Sequence, residues 1–185
     1  FSTEAVMLMC VTGKRKQELL KIRKEYIKED EGVIVMPHFI MKTKKDHEIT
    51  ITEPVKWVLN KLKERLKESK YQKYTFVPWL FPSTKTKSSK LYDQEYTNGN
   101  GTRLQDVRYC WLDVVKETGI DSSSKMLRKT FISLGMQHLN EHWKMQMLTG
   151  HAKASTIDVH YNKSDREQRK EYADEVADKV FNFVK

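Results

Sequence analysis

The sequence predicts a mixed α+β domain, mostly helical, with one small three-stranded antiparallel sheet. Apolar residues recur at helical spacing in several segments, most clearly in Val55, Val58, Leu59, Leu62 and Leu66. Three short runs rich in β-branched and aromatic residues, Val33-Ile34-Val35-Met36, Phe39-Ile40-Met41 and Ile49-Thr50-Ile51, read as strands. Punctuation agrees with both: Gly13, Gly119 and Gly150 fall where helices should stop, and Pro54 where one should start. A chain of 185 residues suits one domain and is long enough to bury a core.

In order, residues 4–11 form the apolar end of a helix that stops at Thr12-Gly13. Leu19, Ile22 and Tyr26 continue at helix spacing, with Arg15, Lys16 and Lys24 elsewhere on the wheel. Lys44-Lys45-Asp46 should turn the second and third strands into a hairpin. Pro54 occupies a favoured helix-opening position, and Lys56, Lys63 and Lys67 lie outside the buried stripe that follows. From Tyr71 to Gly101 the chain reads as loop. Its Ser/Thr/Lys run at 83–90 reads as a solvated segment, with draping along a DNA backbone as the alternative. Leu104, Val107, Trp111, Val114 and Val115 predict a helix ending at Gly119. Ser123 or Ser124 should cap the next, whose core face carries Leu127, Phe131 and Leu134 and which presents Lys125 and Arg128 elsewhere. Asn140 should cap a helix that stops at Gly150. Tyr172, Val176, Val180 and Val184 predict a last helix.

Thirty-four Lys plus Arg against 25 Asp plus Glu leave a net charge of +9, which favours a polyanionic partner, most simply nucleic acid. Cys10 and Cys110 match no metal-ligand spacing and point to a reducing compartment, hence a cytoplasmic, DNA-associated protein. No apolar run reaches membrane-spanning length. The chain begins at Phe1, as expected of a fragment.

The chemistry concentrates in five places: Thr12-Gly13-Lys14-Arg15-Lys16-Gln17-Glu18-Leu19, a hairpin lysine, Lys125-Met126-Leu127-Arg128, Leu148-Thr149-Gly150-His151, and Tyr161. In this order and at these separations the motifs resemble the catalytic domain of tyrosine recombinases of the phage-integrase type. The resemblance runs from the first helix through Tyr161, and archaeal virus or plasmid integrases show a similar arrangement. It implies a catalytic domain over 1–162, a C-terminal helix at 163–185 that docks on a neighbouring protomer or on its own domain, and an N-terminal DNA-binding domain lying outside this chain.

It also implies roles. Phosphoryl transfer needs positioning and charge stabilisation, and guanidinium groups supply both through paired N–H donors. Arg15 and Arg128 would clamp the scissile phosphate, with Glu18 orienting Arg15. Tyr161 would be the nucleophile, leaving a 3′-phosphotyrosyl bond and a free 5′-hydroxyl, with no metal, ATP or other cofactor. A phenol ionises near about 10, so it needs help at neutral pH. His151 would donate to a non-bridging oxygen or hold Tyr161; His160 lies outside the motif. Lys42 would protonate the leaving 5′-oxygen, and is favoured over Lys44 by counting back from Ile49-Thr50-Ile51 against the family's hairpin length. Lys125 departs from the pattern, which usually has histidine there. It acts as a base if Arg15 and Arg128 lower its pKa, and otherwise as an electrostatic donor.

The resemblance therefore implies a site-specific recombinase or integrase acting on double-stranded DNA, as a tetramer on paired sites. Two alternatives stand beside it: a type IB topoisomerase-like activity, raised by Lys125, and a non-catalytic DNA-binding domain. His138-Leu139-Asn140-Glu141-His142 also matches an inverted zinc-protease pattern, but that chemistry needs one continuous helix, and Gly135 and Asn140 predict a helix boundary within it.

Overall fold

The structure is a computed structural model and describes residues 1–84, 102–139, 142–149 and 166–184. Helix α1 (Ser2–Thr12) buries Ala5, Leu8, Met9 and Val11 and closes at Gly13, which is left-handed at φ 59° and donates its N–H to the Met9 carbonyl. Gly13 is required twice over. A side chain would be strained at that φ, and a Cβ would lie 2.3 Å from the ring of Phe131.

The helix expected through Tyr26 is broken. Helix α2 (Lys16–Leu19) is a single turn, followed by a 3-10 turn at Lys24–Tyr26. The backbone here has partners outside a helix: Leu80 N–H donates to the Ile22 carbonyl, Lys24 N–H donates to Pro78, and Arg23 bridges Trp79. Leu19, Leu20 and Ile22 are consequently all fully buried, a pattern no single helical stripe gives.

The sheet has the expected three antiparallel strands, but one is misplaced in the sequence reading. The strands are β1 (Ile27–Lys28), β2 (Val33–Met36) and β3 (His47–Thr50), in the order β1-β2-β3, with Ile34 opposite both Ile27 and Ile49. Phe39–Met41 is no strand. Pro37 ends β2, its carbonyl accepts from Ile40, and the His38 carbonyl accepts from Met41, so the segment curls into the hairpin loop. Residue Lys44 sits at φ 52° in the same loop.

Helix α3 (Glu53–Lys67) starts as expected, with Thr52 accepting from Val55 N–H at 3.4 Å, and it buries Val55, Val58, Leu59 and Leu62. The predicted loop after Tyr71 contains a 3-10 helix, Gln72–Phe76, and then Trp79, Leu80 and Phe81, which are buried because 78–82 pairs with residues near Ile22 and with Arg103. Most of the Ser/Thr/Lys run falls outside the described residues. Helix α4 (Arg108–Thr118) ends at Gly119 as predicted, but starts after Leu104 and Val107. None of its residues is buried, and the core contact comes from Val107 just before it.

Helix α5 (Lys125–Leu139) and helix α6 (His142–Thr149) form a second layer with helix α7 (Arg166–Val184). Gly135 does not mark a helix end. It lies inside α5, where a Cβ would meet the Met145 sulfur at 2.3 Å, so its role is the close approach of α6. His138 and His142 are on different helices, and the proposed caps Asn140 and Gly150 lie outside the described residues. One core joins α1, α2, the sheet and α3. A second gathers Phe131, Leu139, Met145, Val176 and Val180 from α5, α6 and α7. Within this chain helix α7 contacts α5, α3, α1 and α6. No helix of the described residues is long and apolar enough to cross a membrane.

Candidate active site

The site lies where the two cores meet, at the turn between α1 and α2. Arg15 is the residue before α2, with extended backbone (φ −72°, ψ 137°), so its side chain leaves the turn instead of lying along the helix. Its Nη1 donates to Glu18 Oε1 at 3.2 Å, and the guanidinium stays 28% exposed while Glu18 is nearly inaccessible. The same Glu18 oxygen accepts the backbone N–H of Lys42 at 3.1 Å. One buried carboxylate therefore aims Arg15 and anchors the hairpin loop, and the Lys42 side chain is exposed. The other carboxylate oxygen, Oε2, has no hydrogen-bond partner among the described residues.

Arg128 reaches the turn from α5. Its Nη1 donates to the Gly13 carbonyl at 2.6 Å, and both terminal nitrogens reach the Thr149 carbonyl at 3.3 Å. Those carbonyls are available because Gly13 is left-handed and Thr149 ends α6, where helix carbonyls lack intrahelical donors. Burial, with the nearby positive charge of Arg15, pushes the Arg128 pKa down to about 10, and Glu18 opposes that shift. Arg128 remains a cation at neutral pH, but one an incoming anion would stabilise. Lys125 is one turn earlier on α5 and solvent-exposed.

Arg15, Glu18 and Arg128 are thus brought together from a turn and two helices, with the backbone of Lys42 held beside them from the hairpin. His151 and Tyr161 lie outside the described residues. Sequence reasoning passed over one neighbour. Lys14, between Gly13 and Arg15, is buried to 1% exposure, and its ammonium contacts His47 and the Leu148 carbonyl. A lysine inside the Thr-Gly-x-Arg motif carries no local signal that distinguishes it from the solvated cations of the same basic stretch. Among the described residues no cluster of His, Cys, Asp and Glu is arranged to hold a metal ion.

Residues 2–168 match the phage integrase family. Among solved structures, the chain is similar to the XerH site-specific recombinase bound to a palindromic difH substrate in a post-cleavage complex. That similarity has TM-score 0.58 and 17% identity, covering 93% of this chain and 44% of that one. The pre-cleavage XerH–difH complex gives TM-score 0.57 at 17% identity, with 90% and 44% covered. The XerA recombinase gives TM-score 0.54 at 21% identity, covering 92% of this chain and 58% of that one. The chain spans about half the length of these proteins, and at such identities the likeness is one of fold. No curated protein sequence matches.

Proposed function

The chain belongs to the phage integrase family, and from that premise we propose that it is the catalytic domain of a site-specific recombinase that cuts and rejoins double-stranded DNA through Tyr161. The observation that carries the proposal is the convergence of Arg15, Glu18 and Arg128 at the α1–α2 turn, with the Lys42 loop anchored there through its backbone. Two guanidinium groups at that turn, beside the loop that carries Lys42, suit a phosphodiester: Arg15 and Arg128 take non-bridging oxygens and gain strength as charge develops there.

The Tyr161 oxygen attacks phosphorus, a bond forms between them, and the phosphorus–O5′ bond breaks. Lys42 gives its proton to the departing 5′-oxygen. The phenol proton passes to solvent or to a neighbouring base, and reversal on a new 5′-hydroxyl rejoins the strand. The phosphodiester bond energy is kept in the phosphotyrosyl link, so neither ATP nor metal is required. The exposure of Lys125 suits an electrostatic role for it, and His151 would donate to a phosphate oxygen.

Assembly of four protomers on paired DNA sites belongs to the same proposal. Helix α7 fills its own chain's groove with Ala173, Val176, Ala177 and Val180, so exchange with a neighbour would substitute one copy's helix for another's at similar buried surface. The test is a nicked suicide duplex. The wild-type chain should form a covalent adduct through the 3′-phosphate, and Tyr161→Phe should form none while still binding DNA. Cleavage at wild-type rate in Tyr161→Phe removes the nucleophile assignment. Relaxation of supercoils without strand exchange between two duplexes selects the topoisomerase-like alternative.

A further inference from the structure

Nothing in the strand-cleavage reading uses Lys14, although it is among the largest fully buried side chains of the protein. Its Nζ donates to the Leu148 carbonyl at 2.5 Å and meets Nε2 of His47. Leu148 lies in the last turn of α6, directly before the Thr149 carbonyl that Arg128 holds. His47 opens β3, the strand returning from the loop that carries Lys42, and pairs there with Met36. The backbone of Lys14 itself joins Gly13, whose carbonyl takes Arg128, to Arg15, and its N–H donates to Thr12 Oγ1 at 3.4 Å. One ammonium thus ties two separate elements, the end of α6 and the start of β3, to the turn that carries Arg15.

We propose that Lys14 is a positioning residue for strand cleavage: through Leu148 and His47 it locks the end of α6 and the foot of the hairpin to the α1–α2 turn, so that Arg128, Lys42 and Arg15 face one phosphodiester. The proposal rests on the strand-cleavage reading. An apolar side chain would fill the same space with less cost. Lys14 faces the cations Arg15 and Arg128, and Glu18 is the charge that offsets them. The cleft it occupies is walled by Val55, Phe131, Met147 and Ala173, with Glu48 at its rim among the ionisable residues. A buried charge in such a setting contributes little to stability, and replacement by an apolar side chain of similar volume is often neutral or stabilising. What the lysine supplies, and methionine does not, is a directional tie to a carbonyl and an imidazole on two separate elements. The Lys14–His47 contact requires no more than one proton on the line between the two nitrogens, so the pair is a hydrogen bond in either protonation arrangement.

The test uses single-turnover cleavage of the suicide duplex, DNA affinity and thermal midpoint on the whole chain. Lys14→Met should cut about 10–100-fold more slowly, the scale expected when reacting groups shift by around 1 Å. Its DNA affinity should stay within about twofold of wild type, and its thermal midpoint should hold or rise. His47→Leu should slow cleavage to the same degree. His47→Gln, which restores a polar atom near the position of Nε2, should recover most of that rate. The Lys14→Met/His47→Leu double variant should be no slower than Lys14→Met, because both remove one tie. Wild-type cleavage by Lys14→Met overturns the proposal, as does a loss that follows weaker DNA binding or a lower midpoint, or additive effects in the double variant. A wild-type chain that forms no adduct overturns the strand-cleavage reading and this proposal together, whereas a cleaving wild type with an indifferent Lys14→Met overturns this one alone.

Discussion

The two arginines of the site are held by opposite means. Arg15, on the side of the first core, is tied to a carboxylate, so its charge is compensated before any DNA arrives and its guanidinium is left partly in solvent. Arg128, on the side of the second core, is tied to the carbonyls of Gly13 and Thr149, which orient it without neutralising it. It is more deeply set and electrostatically strained, with a depressed pKa that a phosphate would relieve. In the proposed reaction Arg15 would be an aimed ligand for the substrate. Arg128 clasps α5 to the α1–α2 turn and the end of α6, and in that reaction would be a ligand as well.

The comparison breaks most readily at the clasp. Arg128→Ala should slow cleavage by about 10³-fold, the upper range for loss of one preorganised donor. It should also lower stability by roughly 1–3 kcal/mol, because two carbonyls lose a charged donor; urea titration beside cleavage kinetics checks both. Arg15→Ala should slow cleavage by about 10²-fold while leaving the urea midpoint close to wild type. Equal loss of stability in both variants would mean that the two arginines are held alike. Glu18→Gln keeps the shape but removes the charge that aims Arg15 and offsets Lys14 and Arg128. Cleavage should drop about tenfold, equivalent to roughly 1.4 kcal/mol, with the Lys42 loop more open to hydrogen exchange.

The smallest effect is in the pH dependence of stability. Burial holds the Lys14 pKa well below its ordinary 10.5, with Arg128 and Arg15 adding to the shift and Glu18 opposing it. Between that lowered value and 10.5 the unfolded chain binds a proton that the folded chain does not. Unfolding free energy contributed by this group therefore rises with pH across that window, and the folded state is most penalised below it. Lys14→Met should remove this slope, and an unchanged slope would mean that Lys14 is not desolvated as the structure places it.

The helix ends were legible because the signals are local. Thr12-Gly13, Thr52 with Pro54, and Gly119 each act on a few neighbouring peptide groups, and each lies at the expected boundary. The misread segments are those in which distant chain took over. Ile22 and Lys24 exchange hydrogen bonds with 78–80, which ends the helix that Leu19, Ile22 and Tyr26 suggested. Pro37 turns Phe39–Met41 out of the sheet, while the two-residue strand at Ile27–Lys28 is too short to leave a pattern. Helix α4 ends where expected but starts after Leu104 and Val107, and its contact with α1 leaves Trp111, Val114 and Val115 half-buried among the described residues.

Residue type and spacing carry the family motifs, the charge and the helix stops directly, so these could be read along the chain. How the cations are supported came from folding: Glu18 serves both Arg15 and the Lys42 loop, Arg128 gives its donors to Gly13 and Thr149, and Lys14 is buried instead of solvated. Each of these depends on groups far apart in the chain, and a lysine reads the same in sequence whether its ammonium meets water or the last turn of a helix.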